Sequence, residues 1–197
     1  MRSICVYCGS NSGARPIYAE QAIALGTRMA RDGIRLVYGG GNIGLMGTIA
    51  DAVLEAGGEV TGIIPKQLVD MEVAHRGLTG LEVVGSMHER KLRMFDLADG
   101  FVAMPGGFGT LEEVVEMLTW RQLGISEKPC AFLDVEGYYQ PLIAMMDRMV
   151  EERFLHPAQR EDMWTGRDIE AMLDWMKSYE PAQATKWLSE KHSRELR

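Results

Sequence analysis

Short apolar runs alternate with amphipathic stretches along most of this chain, and three of the runs open into loops of glycine and other small residues. Residues 3–8, 34–38, 59–64, 81–84, 101–104 and 130–133 read as strands. Residues 16–31, 86–98, 111–122, 139–152 and 167–176 carry helical periodicity, as does a segment running from the second glycine loop to about residue 56. Strands and helices alternating at this rhythm specify an α/β fold, a doubly wound parallel sheet with helices on both faces. Residues 66–80 read as irregular and the tail from residue 178 as polar. No linker or internal repeat interrupts the pattern, so one domain over residues 1–178 is expected, followed by a polar tail over 179–197.

Ligands of such sheets bind at the carboxyl ends of the strands. The glycine-rich loops, C-G-S-N-S-G, G-G-G-N-I-G-L-M-G and P-G-G-F-G-T, all lie there. The loop from Gly39 to Gly44 satisfies G-x-G-x-x-G, but it follows the second strand. The next strand ends in Ile63-Ile64-Pro65, with no acidic residue placed for a ribose diol. Tight packing and a sharp turn explain such glycines as readily as a dinucleotide does. No G-x-x-x-x-G-K-[ST] occurs, which excludes a P-loop triphosphatase. The loop after Pro105 is more specific. Gly106, Gly107 and Gly109 let backbone N–H groups converge at a helix start, a cradle for one phosphate, and Thr110 can add its hydroxyl. A competing reading takes Thr110-Leu111-Glu112-Glu113 as a capping box with Thr110 at the N-cap. It leaves the glycines and the proline before it unexplained. Ser10, Gly40, Gly41 and Gly106 are further candidates for phosphate-holding loops.

A net charge of -7 argues against a nucleic-acid polymer as partner. No run reaches membrane-spanning length and the first residues lack a signal-peptide pattern, so a cytoplasmic protein with no membrane partner is expected. The three cysteines, Cys5, Cys8 and Cys130, argue against a disulfide framework. Cys5 and Cys8 match C-x-x-C inside a strand, where buried thiols are the simpler reading. His75, His88, His156 and His192 show no metal-ligand spacing, and no metal site is expected.

On a helical wheel, residues 86–98 place Met87, Met94, Leu97 and Ala98 in one apolar sector and Glu89, Arg93 and Asp96 opposite. Arg90 and Lys91 fall in or beside the apolar sector. One inward base could snorkel to water. Two adjacent ones suggest a shared anion, because an unpaired buried charge is costly. The helix precedes the strand that delivers P-G-G-F-G-T, so both bases could reach the same ligand.

A phosphate site followed at once by two carboxylates needs a reason. A carboxylate about 6 Å from a phosphate repels it by roughly 3 kcal/mol at an effective dielectric near 20. The carboxylate is useful where the ribose itself becomes positive, as it does when an N-glycosidic bond breaks through an oxocarbenium-like transition state. Carboxylate, bases and cradle together describe hydrolysis of a nucleoside 5'-monophosphate.

At these residues the chain resembles a known family. H-E-R-K at His88–Lys91, followed by P-G-G-F-G-T-L-E-E, is similar to the signature of the LONELY GUY family of cytokinin riboside 5'-monophosphate phosphoribohydrolases, often mislabelled lysine decarboxylases. C-V-Y-C-G-S, Y-G-G-G-N-I-G-L-M-G and K-P-C-A-F-L-D-V-E-G-Y-Y extend the resemblance over residues 3–155. It implies a modified Rossmann fold, no cofactor, and release of a free adenine-type base and ribose 5-phosphate from N6-substituted adenosine 5'-monophosphates; plain AMP shares the phosphoribose that these motifs explain. It implies Arg90 and Glu113 as catalytic residues. It places substrate contacts at Lys91, Gly107, Gly109 and Thr110 and at Glu72, Glu112 and Thr119, with Phe108 and Leu111 in the same binding stretch. It also implies a homodimer or higher homo-oligomer with the site near the subunit boundary.

Two other readings compete. A non-catalytic nucleotide-binding module would keep the glycine loops without needing Glu113. A pyridoxal-phosphate decarboxylase would need a Schiff-base lysine. The lysines of the core region, Lys66, Lys91 and Lys128, lie in no recognisable cofactor context.

Overall fold

The structure, a computed structural model, describes residues 1–69, 71 and 74–181. Seven strands form one parallel sheet: β1 (Ser3–Tyr7), β2 (Arg35–Tyr38), β3 (Val60–Pro65), β4 (Gly80–Val84), β5 (Phe101–Ala103), β6 (Cys130–Leu133) and β7 (Trp164–Gly166). Their spatial order is β4-β3-β2-β1-β5-β6-β7. The connecting helices are α1 (Ile17–Arg31), α2 (Gly44–Glu55), α3 (Met87–Leu97), α4 (Phe108–Gln122), α5 (Gln140–Glu151), α6 (Pro157–Glu161) and α7 (Ile169–Ser178).

The strand pleat sorts the helices. In β1, Ile4 and Val6 face Leu25 and Met29 of α1, Leu45 and Ile49 of α2, and Leu173 of α7. Cys5 and Tyr7 face the other way, toward Met94 of α3, Val114 and Met117 of α4, and Ile143 of α5. The sheet is therefore doubly wound, as its apolar central strands require. Fully burying one such aliphatic side chain contributes about 1.5–3 kcal/mol. The three cysteines are free and buried. Among the described residues no helix is long and apolar enough to cross a membrane.

Three elements depart from the sequence expectation. Strand β7 and helix α6 were not foreseen. β7 is three residues long, half-buried and at the sheet edge, so it lacks the apolar run that marks an inner strand. α6 is short and is started by His156, whose ring accepts from the Ala158 N–H. Helix α4 begins at Phe108, three residues earlier than the periodicity indicates. That shift matters for the site.

β1 lies between β2 and β5, and the chain order reverses there. The crevice at such a switch point is where doubly wound sheets receive ligands. The loops leaving β1, β2 and β5 interlock above it. The Gly9 N–H donates to the Pro105 carbonyl at 3.0 Å, and the Leu45 N–H donates to the Gly9 carbonyl at 3.0 Å.

Candidate active site

The N-terminus of α4 forms the floor of the crevice. Gly107 is the N-cap residue and makes no side-chain cap hydrogen bond. Thr110 is thus the third residue of the helix, which removes it from the N-cap and corrects the capping-box reading. Its side chain is buried against Gly106, where an added Cβ would come within 2.1 Å of Oγ1. Gly107 and Gly109 differ: a Cβ at either would meet nothing within 4 Å. The α4 N-terminus therefore presents bare backbone to open space. No acidic residue occupies the first turn. Phe108 projects into solvent beside the cradle, 92% exposed, and Leu111 packs against the core. The Tyr138 hydroxyl donates to the Gly106 carbonyl and holds the loop from the other side.

Arg90 reaches the crevice from α3. That helix starts where the sequence indicates, with the Ser86 hydroxyl accepting from the Glu89 N–H at 3.1 Å and Glu89 reaching back to the Gly85 N–H at 2.7 Å. Both Arg90 and Lys91 are buried, as the wheel predicts. Arg90 Nε donates to the Ile63 carbonyl at 3.1 Å, and Nη2 to the Gly39 carbonyl at 3.0 Å. The guanidinium is thereby pinned over the ends of β2 and β3. Gly39 makes this possible, since a Cβ there would lie 2.0 Å from Nη2.

Glu113 is half-buried, and together with Arg90 it acts electrostatically on the end of β1. Burial first, and the Glu113 carboxylate second, push the Cys5 and Cys8 thiols up. Arg90 opposes that effect at Cys5. Both residues make further interactions within the chain. Glu113 lies five residues into α4, about 8 Å along the axis from its start at 1.5 Å per residue.

Several residues named from sequence are placed elsewhere. Lys91 and Arg90 have different partners within the chain. Adjacent helical residues point about 100° apart, and Lys91 Nζ turns to Glu112 at 2.5 Å and Glu116 at 3.1 Å. Gly40 and Gly41 are buried by the chain itself: the Gly40 carbonyl accepts from the His75 N–H at 3.0 Å, and Gly41 bridges to Ala74. These contacts fit the packing reading of this loop. Ser10 remains exposed at the mouth. Thr119 lies nine residues beyond Thr110, about 14 Å along α4, and donates to the Val115 carbonyl of its own helix at 2.8 Å. It lines a separate, largely apolar cavity of about 370 Å³ with Val115, Leu118, Met146 and Met149. Glu72 is outside the described residues.

Sequence reasoning missed Gly39 and His75. Gly39 stood inside a recognised glycine run, but only the arrival of Arg90 assigns it a task. His75 Nε2 lies 2.8 Å from Asp51 Oδ1, and its Nδ1 accepts from the Gly77 N–H at 3.2 Å, so the ring ties the segment after β3 to α2. No spacing signal marks that pair. Among the described residues no cluster suited to a metal ion occurs. Two of the three candidate Schiff-base lysines are committed: Lys91 as above, and Lys128 to the Phe95 carbonyl at 2.6 Å and the face of the Phe95 ring at 3.9 Å.

The fold and the switch point define a Rossmann-type protein with an open helix N-terminus on the helix that carries Glu113. Comparison with known proteins narrows this. The sequence profile of the family described as "Possible lysine decarboxylase" matches residues 46–176. Two Arabidopsis thaliana proteins named cytokinin riboside 5'-monophosphate phosphoribohydrolase are each 43% identical over 180 residues, which is 91% of this chain and 83% and 84% of theirs. The chain belongs to this LONELY GUY phosphoribohydrolase family. Among solved structures, the molybdenum cofactor binding protein of Rippkaea orientalis shares the fold, with a TM-score of 0.69 at 24% identity over 90% of this chain and 96% of that one.

Proposed function

We propose that this protein hydrolyses the N-glycosidic bond of adenosine 5'-monophosphates, plain or N6-substituted, releasing the free base and ribose 5-phosphate. The observation that carries this reading is the joint placement of three features at the switch point: the open glycine terminus of α4, Glu113 about 8 Å further along the same helix, and Arg90 pinned above β2 and β3. The 43%-identical relatives bear the name of this activity.

The 5'-phosphate sits on the N–H groups around Gly107 and Gly109, where the dipole of α4 favours an anion. The ribose then lies over the first turn, between the phosphate and Glu113. As the C1'–N bond breaks, its electron pair leaves with the base, which takes up a proton. Positive charge grows on the ribose ring, and Glu113 stabilises it. Water adds to C1' and gives up a proton, which completes ribose 5-phosphate. Arg90 clamps the substrate and balances Glu113. Its two carbonyl contacts hold it in place before substrate arrives, so little reorganisation is needed at the transition state. The family resemblance supports a homodimer in the cytoplasm, and the exposed Phe108, Val115, Leu123 and Ile125 on and after α4 supply apolar surface for a second copy.

Incubation of the purified protein with AMP and with N6-isopentenyl-AMP, followed by chromatography, tests the reading. Free base with ribose 5-phosphate is the expected product pair. Nucleoside with inorganic phosphate, or binding without any product, would overturn it. The second of these outcomes would indicate a nucleotide-binding module.

A further inference from the structure

We propose that Tyr138 is a positioning residue for the substrate phosphate: its hydroxyl holds the Gly106 carbonyl, and through that one peptide it sets the direction of the Gly107 N–H at the start of α4. The proposal rests on the hydrolase reading above. It gives a task to the G-Y-Y end of the K-P-C-A-F-L-D-V-E-G-Y-Y stretch.

Three residues, Met104 to Gly106, link β5 to the N-cap of α4 at Gly107. Each of their carbonyls has a donor from elsewhere in the chain. Met104 accepts from the Tyr139 hydroxyl at 2.6 Å, Pro105 from the Gly9 N–H at 3.0 Å, and Gly106 from the Tyr138 hydroxyl at 2.5 Å. Peptide bonds among the described residues are trans. In a planar trans peptide the C=O and the N–H point in opposite directions, so fixing one fixes the other. The Gly106 carbonyl shares its peptide with the Gly107 N–H. The Met104 carbonyl shares its peptide with Pro105, which has no N–H. Two adjacent tyrosines thus make the same bond to the same loop, and only Tyr138 orients a donor.

That donor stands at a helix start, where the first N–H groups have no partner inside the helix and a phosphate is favoured. The peptide it belongs to lies between two glycines, whose backbone rotates most freely. A Cβ at Gly107 would meet nothing within 4 Å, so side-chain packing there does not replace the anchor.

The Tyr138 ring is held independently of its hydroxyl. Tyr18 and Tyr139 meet it edge-on, with ring centroids 6.0 and 5.2 Å away. The backbone beside it is fixed by the buried Asp134, which accepts from the Tyr139 N–H at 2.7 Å and from Gln140 Nε2 at 2.5 Å. Tyr138→Phe therefore removes one hydrogen bond and leaves the ring in place. Tyr139 differs in burial: it is 1% exposed, against 42% for Tyr138. Loss of its hydroxyl deprives a buried carbonyl of this donor, which costs stability.

The test separates the two tyrosines. Titration calorimetry with ribose 5-phosphate reads the phosphate site, base release from AMP reads KM and kcat, and melting reads the fold. Tyr138→Phe should weaken ribose 5-phosphate binding about 3–10-fold, the worth of one hydrogen bond. It should raise KM for AMP by a similar factor, with kcat within about twofold and Tm almost unchanged. Tyr139→Phe should do the reverse, lowering Tm by roughly 2–4 °C and keeping ribose 5-phosphate affinity within about twofold. Unchanged ribose 5-phosphate affinity in Tyr138→Phe would overturn the proposal. An equal loss of affinity in both variants would overturn it too, because the Tyr139 bond orients no N–H. Either result, obtained with normal wild-type base release, leaves the hydrolase reading standing. A wild type that binds AMP and releases no base would overturn that reading, and the calorimetric comparison would still decide the role of Tyr138.

Discussion

The loop after β2 and the loop after β5 flank β1 and are built from the same small residues, yet the chain fills the first and leaves the second open. In the first, Arg90 occupies the space above Gly39, and His75 and Ala74 cover Gly40 and Gly41. In the second, nothing lies within 4 Å of where a side chain would stand at Gly107 or Gly109. Glycine therefore does two different jobs on the two sides of one strand. After β2 it makes room for the protein's own guanidinium. After β5 it leaves open space, which the proposed reading assigns to the substrate phosphate. The two meet in one site because the filled loop aims Arg90 at the crevice that the open loop lines.

Substitutions can break this contrast in graded steps. Removing the guanidinium by Arg90→Ala should have the largest effect, a fall in kcat on the order of 10³-fold, comparable to losing one key electrostatic donor. Steady-state kinetics with AMP measure it. Gly39→Ala should come next. Its Cβ would stand 2.0 Å from Arg90 Nη2, so the guanidinium must shift, and a kcat loss of about 100-fold is expected with Arg90 still present. Gly107→Ala should leave the melting temperature almost unchanged and weaken AMP binding about tenfold, because its methyl enters ligand space rather than protein. Calorimetry against thermal melting separates those two effects. An Ala at Gly107 that destabilises the fold while sparing affinity would erase the distinction between the loops.

The smallest effect lies away from the site and should spare it. The Asp99 carboxylate is held below its ordinary value. Burial pushes it up, but the N–H groups of Arg2 and Ser3, at 2.6 and 3.0 Å, outweigh that. A lowered folded-state value means stabilisation that is present above the unfolded value near 4 and is lost as pH falls through the folded one. Asp99→Asn should cost about 1 kcal/mol at pH 7, a melting shift of roughly 2–4 °C. The difference should shrink as pH falls through the lowered folded-state value, where the carboxyl becomes neutral like the amide. A series of melts from pH 7 downward checks it, and AMP turnover at pH 7 should not move.

The inner strands, both helical layers and the inward turn of Arg90 and Lys91 were legible because each writes a periodic apolar pattern into the sequence. β7 was not, since a half-buried edge strand has no such pattern. The start of α4 was misplaced because glycine and phenylalanine look like loop and core, whereas here Gly107 caps the helix and Phe108 is left in water. The different intrachain partners of Arg90 and Lys91 were hidden for a further reason. A helical wheel gives the direction of each side chain but not the partner waiting there, and the two carboxylates that hold Lys91 belong to another helix. The separate tasks of Gly39 and Gly107 were invisible for the same reason, since a glycine in sequence does not say what fills its missing side chain.

The most direct measurement compares Glu113→Gln with the wild type for both AMP binding and base release. The amide keeps the shape of the carboxylate and removes its charge. If Glu113 stabilises a positive ribose, the variant should bind AMP within a few-fold of the wild type, or more tightly as repulsion is relieved, and release base at least about 10³-fold more slowly. Base release at the wild-type rate from the variant would contradict that role.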